Sequence, residues 1–278
     1  MQKILATMMA LALTIGAQGQ EAIDIAQFVA VYDYECRTQN DEGTPVTDRM
    51  QLAVQVGRTM TKSMPRSWYK RKDLRSREEF ALDYQEALMH MPTIWINWPE
   101  GQTTVREWIF PNDFEGSEAT PEIAWTLTDD TLTIGGYYCQ TATCKFRGVE
   151  WRVCYTEEIP SSVGPWRLRG LPGLIVKAES EAHTFCIAEI IQESTPIMAP
   201  EKKPDVQRMA YAKLQKYRNG IYTNRQYAKS PFYYVTNLQE TVTGAFGLYH
   251  DGQLQLFSNG ERPLLTKAHV YHPLEVCE

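Results

Sequence analysis

Histidine is scarce in this chain, with five among 278 residues, and the motifs that carry common hydrolytic or nucleotide chemistry are missing. No G-x-S-x-G, H-E-x-x-H, P-loop or EF-hand spacing occurs, which removes the nucleophile-elbow, zinc-protease, phosphate-cradle and calcium-loop readings. Thioredoxin-like exchange lacks its C-x-x-C pair. A net charge of only −6 argues against general affinity for nucleic acid. Past the N-terminus no apolar run approaches the length of a membrane span, so a membrane-spanning chain is not expected. Internal repeats and low-complexity linkers are absent too, which favours one domain. No motif calls for a cofactor.

What is present begins with an export signal. Lys3 precedes an apolar stretch over 4–15, and Ala17-Gln18-Gly19 supplies the small residues of a cleavage site. This pattern predicts a signal peptide over 1–19, cut before Gln20, and an exported domain over 20–278. The expected address is the periplasm or the outer-membrane surface. With no Cys at the cut, the usual lipid anchor is not expected.

Seven Trp and fifteen Tyr favour strands and apolar grooves. Alternating segments at 28–36, 50–57, 93–98, 103–109, 124–127, 132–138, 141–146, 149–156, 174–178 and 184–191 follow one another closely, as in an antiparallel meander. Short strands are expected at 232–237, 246–249, 253–257 and 267–271. Capping-box spacing at Ser76-Arg77-Glu78-Glu79 predicts a helix ending before Pro92, and 204–217 predicts another. The reading is mainly β: a wide curved antiparallel sheet or half-open barrel with two or so helices. The alternative is a β-sandwich.

Six Cys lie beyond the signal (Cys36, Cys139, Cys144, Cys154, Cys186, Cys277), and an oxidising compartment permits bridges. Cys139 and Cys144 sit five apart on one expected strand, about 17 Å from each other by strand rise, so they cannot pair. A hairpin centred on Arg147-Gly148 sets Cys144 across from Trp151 and Cys154 across from Thr141. That leaves long-range partners, with Cys154–Cys186 the leading candidate, because their strands flank the one at 174–178.

Gly164-Pro165-Trp166-Arg167-Leu168-Arg169-Gly170-Leu171-Pro172-Gly173-Leu174-Ile175 is the most distinctive run. Its last six residues resemble the signature of the GLPGLI family, exported envelope proteins of unassigned function. Further similarity lies in Ile134-Gly135-Gly136-Tyr137-Tyr138-Cys139, in Phe146-Arg147-Gly148 with Trp151, and in the closing Tyr271-His272-Pro273-Leu274-Glu275. The resemblance implies fold and location and brings no catalytic residue. Physically, Gly170 and Gly173 free the backbone and Pro172 fixes a torsion between them, which describes a tight bend feeding a core strand. The functional alternative is a fixed loop at a groove mouth, presenting Trp166 and Arg167 to a ligand.

Other constellations are thinner. Met89-His90-Met91 offers soft ligands suited to Cu(I), and His269, His272 and Cys277 form a second cluster. Lys62, Arg66, Lys70, Arg71, Lys72, Arg75 and Arg77 make a basic run around Trp68 and Tyr69 that reads as a solvated loop or an envelope-facing patch. With no nucleophile–base pair in view, the expected function is a non-enzymatic binding or accessory protein of the bacterial cell envelope. It would hold an apolar ligand or a partner segment on an aromatic concave face, as the half-barrels of outer-membrane lipoprotein carriers do. Copper handling and an unrecognised enzyme are the alternatives.

Overall fold

The computed structural model describes residues 21–39, 43–70, 91–109, 112–223 and 272–276, together with short strand segments between 233 and 268. The expected signal peptide and the expected helix before Pro92 lie outside the described residues. The elements are β1 (Ala22–Ile25), β2 (Phe28–Gln39), β3 (Pro45–Val56), β4 (Thr61–Pro65), α1 (Arg66–Lys70), β5 (Thr93–Ile96), β6 (Gln102–Ile109) and β7 (Asn112–Ala119). They continue as β8 (Thr126–Ile134), β9 (Tyr137–Phe146), β10 (Val149–Thr156), β11 (Leu174–Glu179), β12 (His183–Ile191), β13 (Pro196–Met198), β14 (Gln207–Ala210) and α2 (Tyr211–Thr223). Farther on, Phe246–His250, Gln253–Phe257 and Leu264–Leu265 pair as a separate small sheet.

Twelve of the strands form one sheet in the order β14-β7-β6-β5-β4-β3-β2-β12-β11-β10-β9-β8. Every pairing in it is antiparallel except β14 with β7. This is the wide antiparallel sheet that the close strand spacing implies, and not a sandwich of two sheets. It is strongly curled. β7 and β9 stand nine places apart in the order, about 43 Å if the sheet were flat. Yet Glu118 of β7 forms an ion pair with Arg147, at the turn after β9.

The curl explains the burial pattern. Inner-face residues from both ends of the sheet, among them Val105, Phe114, Ala142 and Phe146, share one hydrophobic cluster with Tyr32, Leu52 and Phe185. On β2 the outer-face residues Val29 and Val31 are buried as well, because Tyr69 of α1 packs over them and Ala53. A strand covered on both faces reads as a continuous apolar run, and Phe28–Tyr32 is such a run within the segment expected to alternate.

Two-residue turns set the registers. Arg147 and Gly148 both have positive φ, 52° and 74°, as a type I′ hairpin requires. The turn places Cys144 opposite Trp151 and Cys154 opposite Thr141, as expected. Gly135 and Gly136, at 58° and 88°, make a second such turn, so the expected strand over 132–138 is two strands joined by a hairpin. The expected helix over 204–217 begins later. Residues 207–210 instead pair with β7 as a parallel edge strand, and the helix runs from Tyr211 to Thr223.

The signature segment folds back over the inner face. After β10 the chain loops through a bridge between Val163 and Arg169 and then enters β11. Trp166, Leu168 and Leu171 drop into the main core, and the Tyr32 hydroxyl donates to the Ile175 carbonyl at 2.8 Å. Gly170 needs its φ of +100°. Gly173 is selected by contact: a Cβ there would lie 2.0 Å from the Thr156 carbonyl oxygen. The aromatic concave face is therefore filled by the protein's own side chains, with Tyr155 and Trp151 each 1% exposed.

Candidate functional site

The curled sheet has a rim where the β9–β10 turn, the β11–β12 turn and the segment 272–276 meet. Each part is tied down by its own bonds. The turn after β11 is closed by Ser180 and His183, and Arg37 of β2 donates to the carbonyls of Ser180 and Glu181. The Val276 amide donates to the Arg147 carbonyl at 2.8 Å. The Tyr34 hydroxyl and the Pro273 carbonyl lie 2.9 and 3.3 Å from the two ring nitrogens of His183. A carbonyl only accepts, so His183 carries its proton on Nε2 and accepts from Tyr34 at Nδ1. Burial pushes this imidazole down to about 4, and the ring is neutral at ordinary pH.

Beneath the rim lies a buried ionic cluster. Arg167 pairs with Glu118 and, at 3.2 Å, with Glu275. Arg218 pairs with Glu275 at 2.8 Å and with Glu107 at 3.3 Å. Arg147 adds a second pair to Glu118, and the Tyr211 hydroxyl donates to Glu275. The Arg167 guanidinium lies 4.6 Å from the Tyr211 ring centroid. Three guanidiniums thus face three carboxylates, so the charge is matched in a cluster that is buried at Arg167, Arg218, Glu107 and Glu275 and part-exposed at Arg147 and Glu118. Burial nevertheless raises Glu275 to about 7, with Arg167 and Arg147 opposing the rise. Burial raises Glu107 as well, against the pull of Arg218.

A groove of about 1020 Å³ opens at this rim. Ala124 and Thr126 line one wall, Lys145 and Arg152 another, and Glu181, His183 and His272 close the far side. Trp151 lies at its base, with a buried indole N–H that has no hydrogen-bond partner. The groove adjoins β8, an outermost strand of the twelve-stranded sheet with no further strand paired to it among the described residues, where Leu127 is 61% exposed. Cys144 also lines it, but burial holds that thiol up at about 12, so no thiolate is offered there.

Trp166 and Arg167 are 2% and 3% exposed, so neither side chain is presented to solvent; Arg167 is a ligand of two carboxylates of its own chain. Gly164, Pro165, Gly170, Leu171, Pro172, Gly173, Leu174 and Ile175 serve the bend and the strand that follows it. Cys154 and Cys186 are both opposite Lys177, on either side of β11. That puts their Cα atoms about 9–10 Å apart, beyond disulfide reach, and both are free thiols. The proposed bridge fails because one strand stands between its ends. Met89 and His90 lie outside the described residues, while Met91 is buried in the main core. Among the described residues no group of three His, Cys, Asp or Glu is placed to hold a metal ion. In the basic run, Lys62 is a β4 residue and Arg66 an ion-pair partner of Glu189.

Glu107, Glu118, His183, Tyr211 and Arg218 were not singled out from the sequence, and Arg147 was read only as a turn residue. The signal that could have pointed to the cluster is Arg167 and Glu275, charged residues within the signature run and the closing motif. Such a charge needs a buried counter-charge.

No protein-family model matches this chain, and no curated protein does. Among solved structures, PNGF-II in a C2 crystal form gives a TM-score of 0.45 at 13% identity, covering 71% of this chain and 33% of that one. Its P21 form gives 0.46 at 12% identity, over 85% and 37%. The LolA superfamily protein NE2245 from Nitrosomonas europaea gives 0.25 at 9% identity, over 64% and 90%. This chain spans about a third of the length of PNGF-II. Among the described residues no helix is long and apolar enough to cross a membrane.

Proposed function

We propose that this chain is an exported, non-enzymatic binding protein of the cell envelope, of GLPGLI type, and that its ligand is an extended polypeptide segment held at the rim groove. The observation that carries this reading is the groove's position beside β8, whose outer edge is unpaired among the described residues. An exposed strand edge offers unpaired backbone groups to a second chain, and pockets beside it select side chains. Lys145, Arg152, Glu150 and Glu181 give the groove both signs of charge, which suits a peptide better than a lipid tail. The interior, where an apolar ligand would have gone, is occupied by Trp166, Leu168 and Leu171.

The chemistry of the rim supports binding over catalysis. His183 has both ring nitrogens engaged, and the neighbouring thiol is held protonated. The test is selection of peptides from a random library on the purified chain, followed by calorimetry. Binding that weakens at least tenfold in Arg152→Glu and in Leu127→Asp supports the reading. Selected peptides that bind both variants as well as the parent, or bound lipid recovered by solvent extraction, would overturn it.

A further inference from the structure

A second cavity, of about 440 Å³, lies on the outer face of the sheet, away from the rim. The strand registers build it. Lys62 of β4 is opposite Trp95 of β5, and Trp95 is opposite Thr104 of β6. Arg106 is two residues along from Thr104, so its Cα lies about 12 Å from that of Lys62. Two long cationic side chains can converge across that span. Trp68 and Met64 supply apolar wall.

Lys203, which lines the cavity, is paired with Asp113 and Glu201, but among the described residues Lys62 and Arg106 make no ion pair; the Lys62 ammonium sits 5.1 Å from the centroid of the Trp95 ring. That ring is fixed by its N–H donating to the Met198 carbonyl at 2.8 Å. Arg106 spends Nη1 on the Glu201 carbonyl, while its Nη2 is buried and has no partner. Three acids, Glu107, Asp113 and Glu201, line the same cavity, and each is already engaged with another cation. Glu115 accepts from Arg208 at 3.1 Å. Asp113 and Glu201 lie 3.8 and 3.4 Å from the Lys203 ammonium. Glu107 accepts from Arg218 at 3.3 Å. Two donors of positive charge are thus left over in one cavity beside two indoles.

We propose that this cavity binds a small organic oxyanion, a carboxylate or phosphate carried on a flat apolar group, with Lys62 and Arg106 holding the anionic head and Trp68 and Trp95 the body. The buried Arg106 Nη2 gains most from such a ligand, because binding supplies the hydrogen bond that burial removed, and Lys62 gains a counter-charge. Burial has also lowered the Lys62 ammonium to about 8, the state expected of a cation without its counter-ion.

The test uses the purified chain and three probes: phenyl phosphate, benzoate and benzylamine. Calorimetry and NMR titration of the Lys62 ammonium are the readouts. Saturable binding of phenyl phosphate or benzoate is expected, with the Lys62 titration moving up from about 8 toward the ordinary lysine range. Whichever of the two anions binds more tightly distinguishes a phosphate site from a carboxylate site. Lys62→Met and Arg106→Gln should each weaken binding at least tenfold. Lys62→Met removes an unpaired, partly buried charge, so it should fold. No saturable binding of either anion, equal binding of benzylamine, or unchanged affinity in both variants would overturn the proposal. A site on the outer face leaves peptide binding at the rim intact, so the two readings fail separately.

Discussion

Arg167 and Glu275 are 108 residues apart in the chain, yet their side chains meet at 3.2 Å with 2% and 1% of their surfaces exposed. One belongs to the signature segment plugging the curled sheet; the other belongs to the segment that closes the rim. Their meeting joins two stretches of sequence that otherwise look like separate motifs. Removing one partner of a buried pair leaves a charge without compensation, which typically costs about 3–5 kcal/mol. Arg167→Met should lower stability by that order in urea unfolding followed by tryptophan fluorescence. By contrast, the exposed pair of Arg49 and Glu35 should contribute less than about 1 kcal/mol. A loss in Arg167→Met no larger than in Arg49→Ala would show that the buried pair is not structural.

The signature glycines are predicted to differ in kind from a helical one. In Gly173→Ala the new methyl would lie 2.0 Å from the Thr156 carbonyl oxygen, where only backbone movement gives relief. This variant should lose several degrees of Tm or fail to accumulate folded. Gly220 lies in α2 with open space around its Cβ position. Gly220→Ala should be neutral or stabilising by up to about 1 kcal/mol. Thermal melts of the two variants settle the comparison.

Thiol accessibility follows the two faces of β9 and the sheet order. Cys36, Cys139, Cys144 and Cys154 are buried, whereas Cys186 is part-exposed. Among these five described cysteines, native alkylation should therefore label Cys186 first, with the other four reacting only as the protein unfolds. Peptide mapping of the non-reduced protein should contain no Cys154–Cys186 bridge. Finding that bridge would mean that β11 does not lie between β10 and β12.

The acid limb of stability should carry the mark of His183. Its folded pKa of about 4 lies below the ordinary 6.5, so between those values the unfolded chain binds a proton that the folded chain refuses. Its contribution is present above pH 6.5 and is lost as pH falls toward 4, by roughly 3 kcal/mol. Glu275, raised to about 7, acts with the opposite sign between 4.5 and 7. The comparison that isolates the histidine is therefore the parent against His183→Phe at each pH. The parent's advantage should shrink on acidification. A constant difference from pH 7 to 4.5 would contradict the buried neutral ring.

The sheet was largely legible because its strands alternate and its turns carry glycine. Arg147-Gly148 alone determined the facing of Cys144 and Cys154. β7 was missed because Asn112–Ala119 reads Asn-Asp-Phe-Glu-Gly-Ser-Glu-Ala, with few apolar residues for alternation to reveal. Its inward positions are Phe114, Gly116 and Glu118: one apolar ring, one glycine lying under Tyr211 and Leu214, and one acid bound for Arg147 and Arg167. The ionic cluster was hidden for the same reason. It draws Glu107 and Glu118 from neighbouring strands, Arg147 from a turn, Arg167 from the plug, Arg218 from α2 and Glu275 from the last segment, and no local spacing records such a convergence. The bridge from Cys154 to Cys186 was misjudged because adjacency in the sheet depends on which strands flank β11, and both do.

Under the proposed function the curled sheet, filled from within, takes its ligand outside, at the rim. Amide and indole shift mapping of a library-selected peptide on isotope-labelled protein tests this directly. The predicted result is a contiguous set of changes at Thr126, the Trp151 indole, residues 180–183 and His272, with Tyr32, Tyr155 and Leu171 unmoved. Changes centred on Tyr32, Tyr155 and Leu171, with the rim silent, would contradict it.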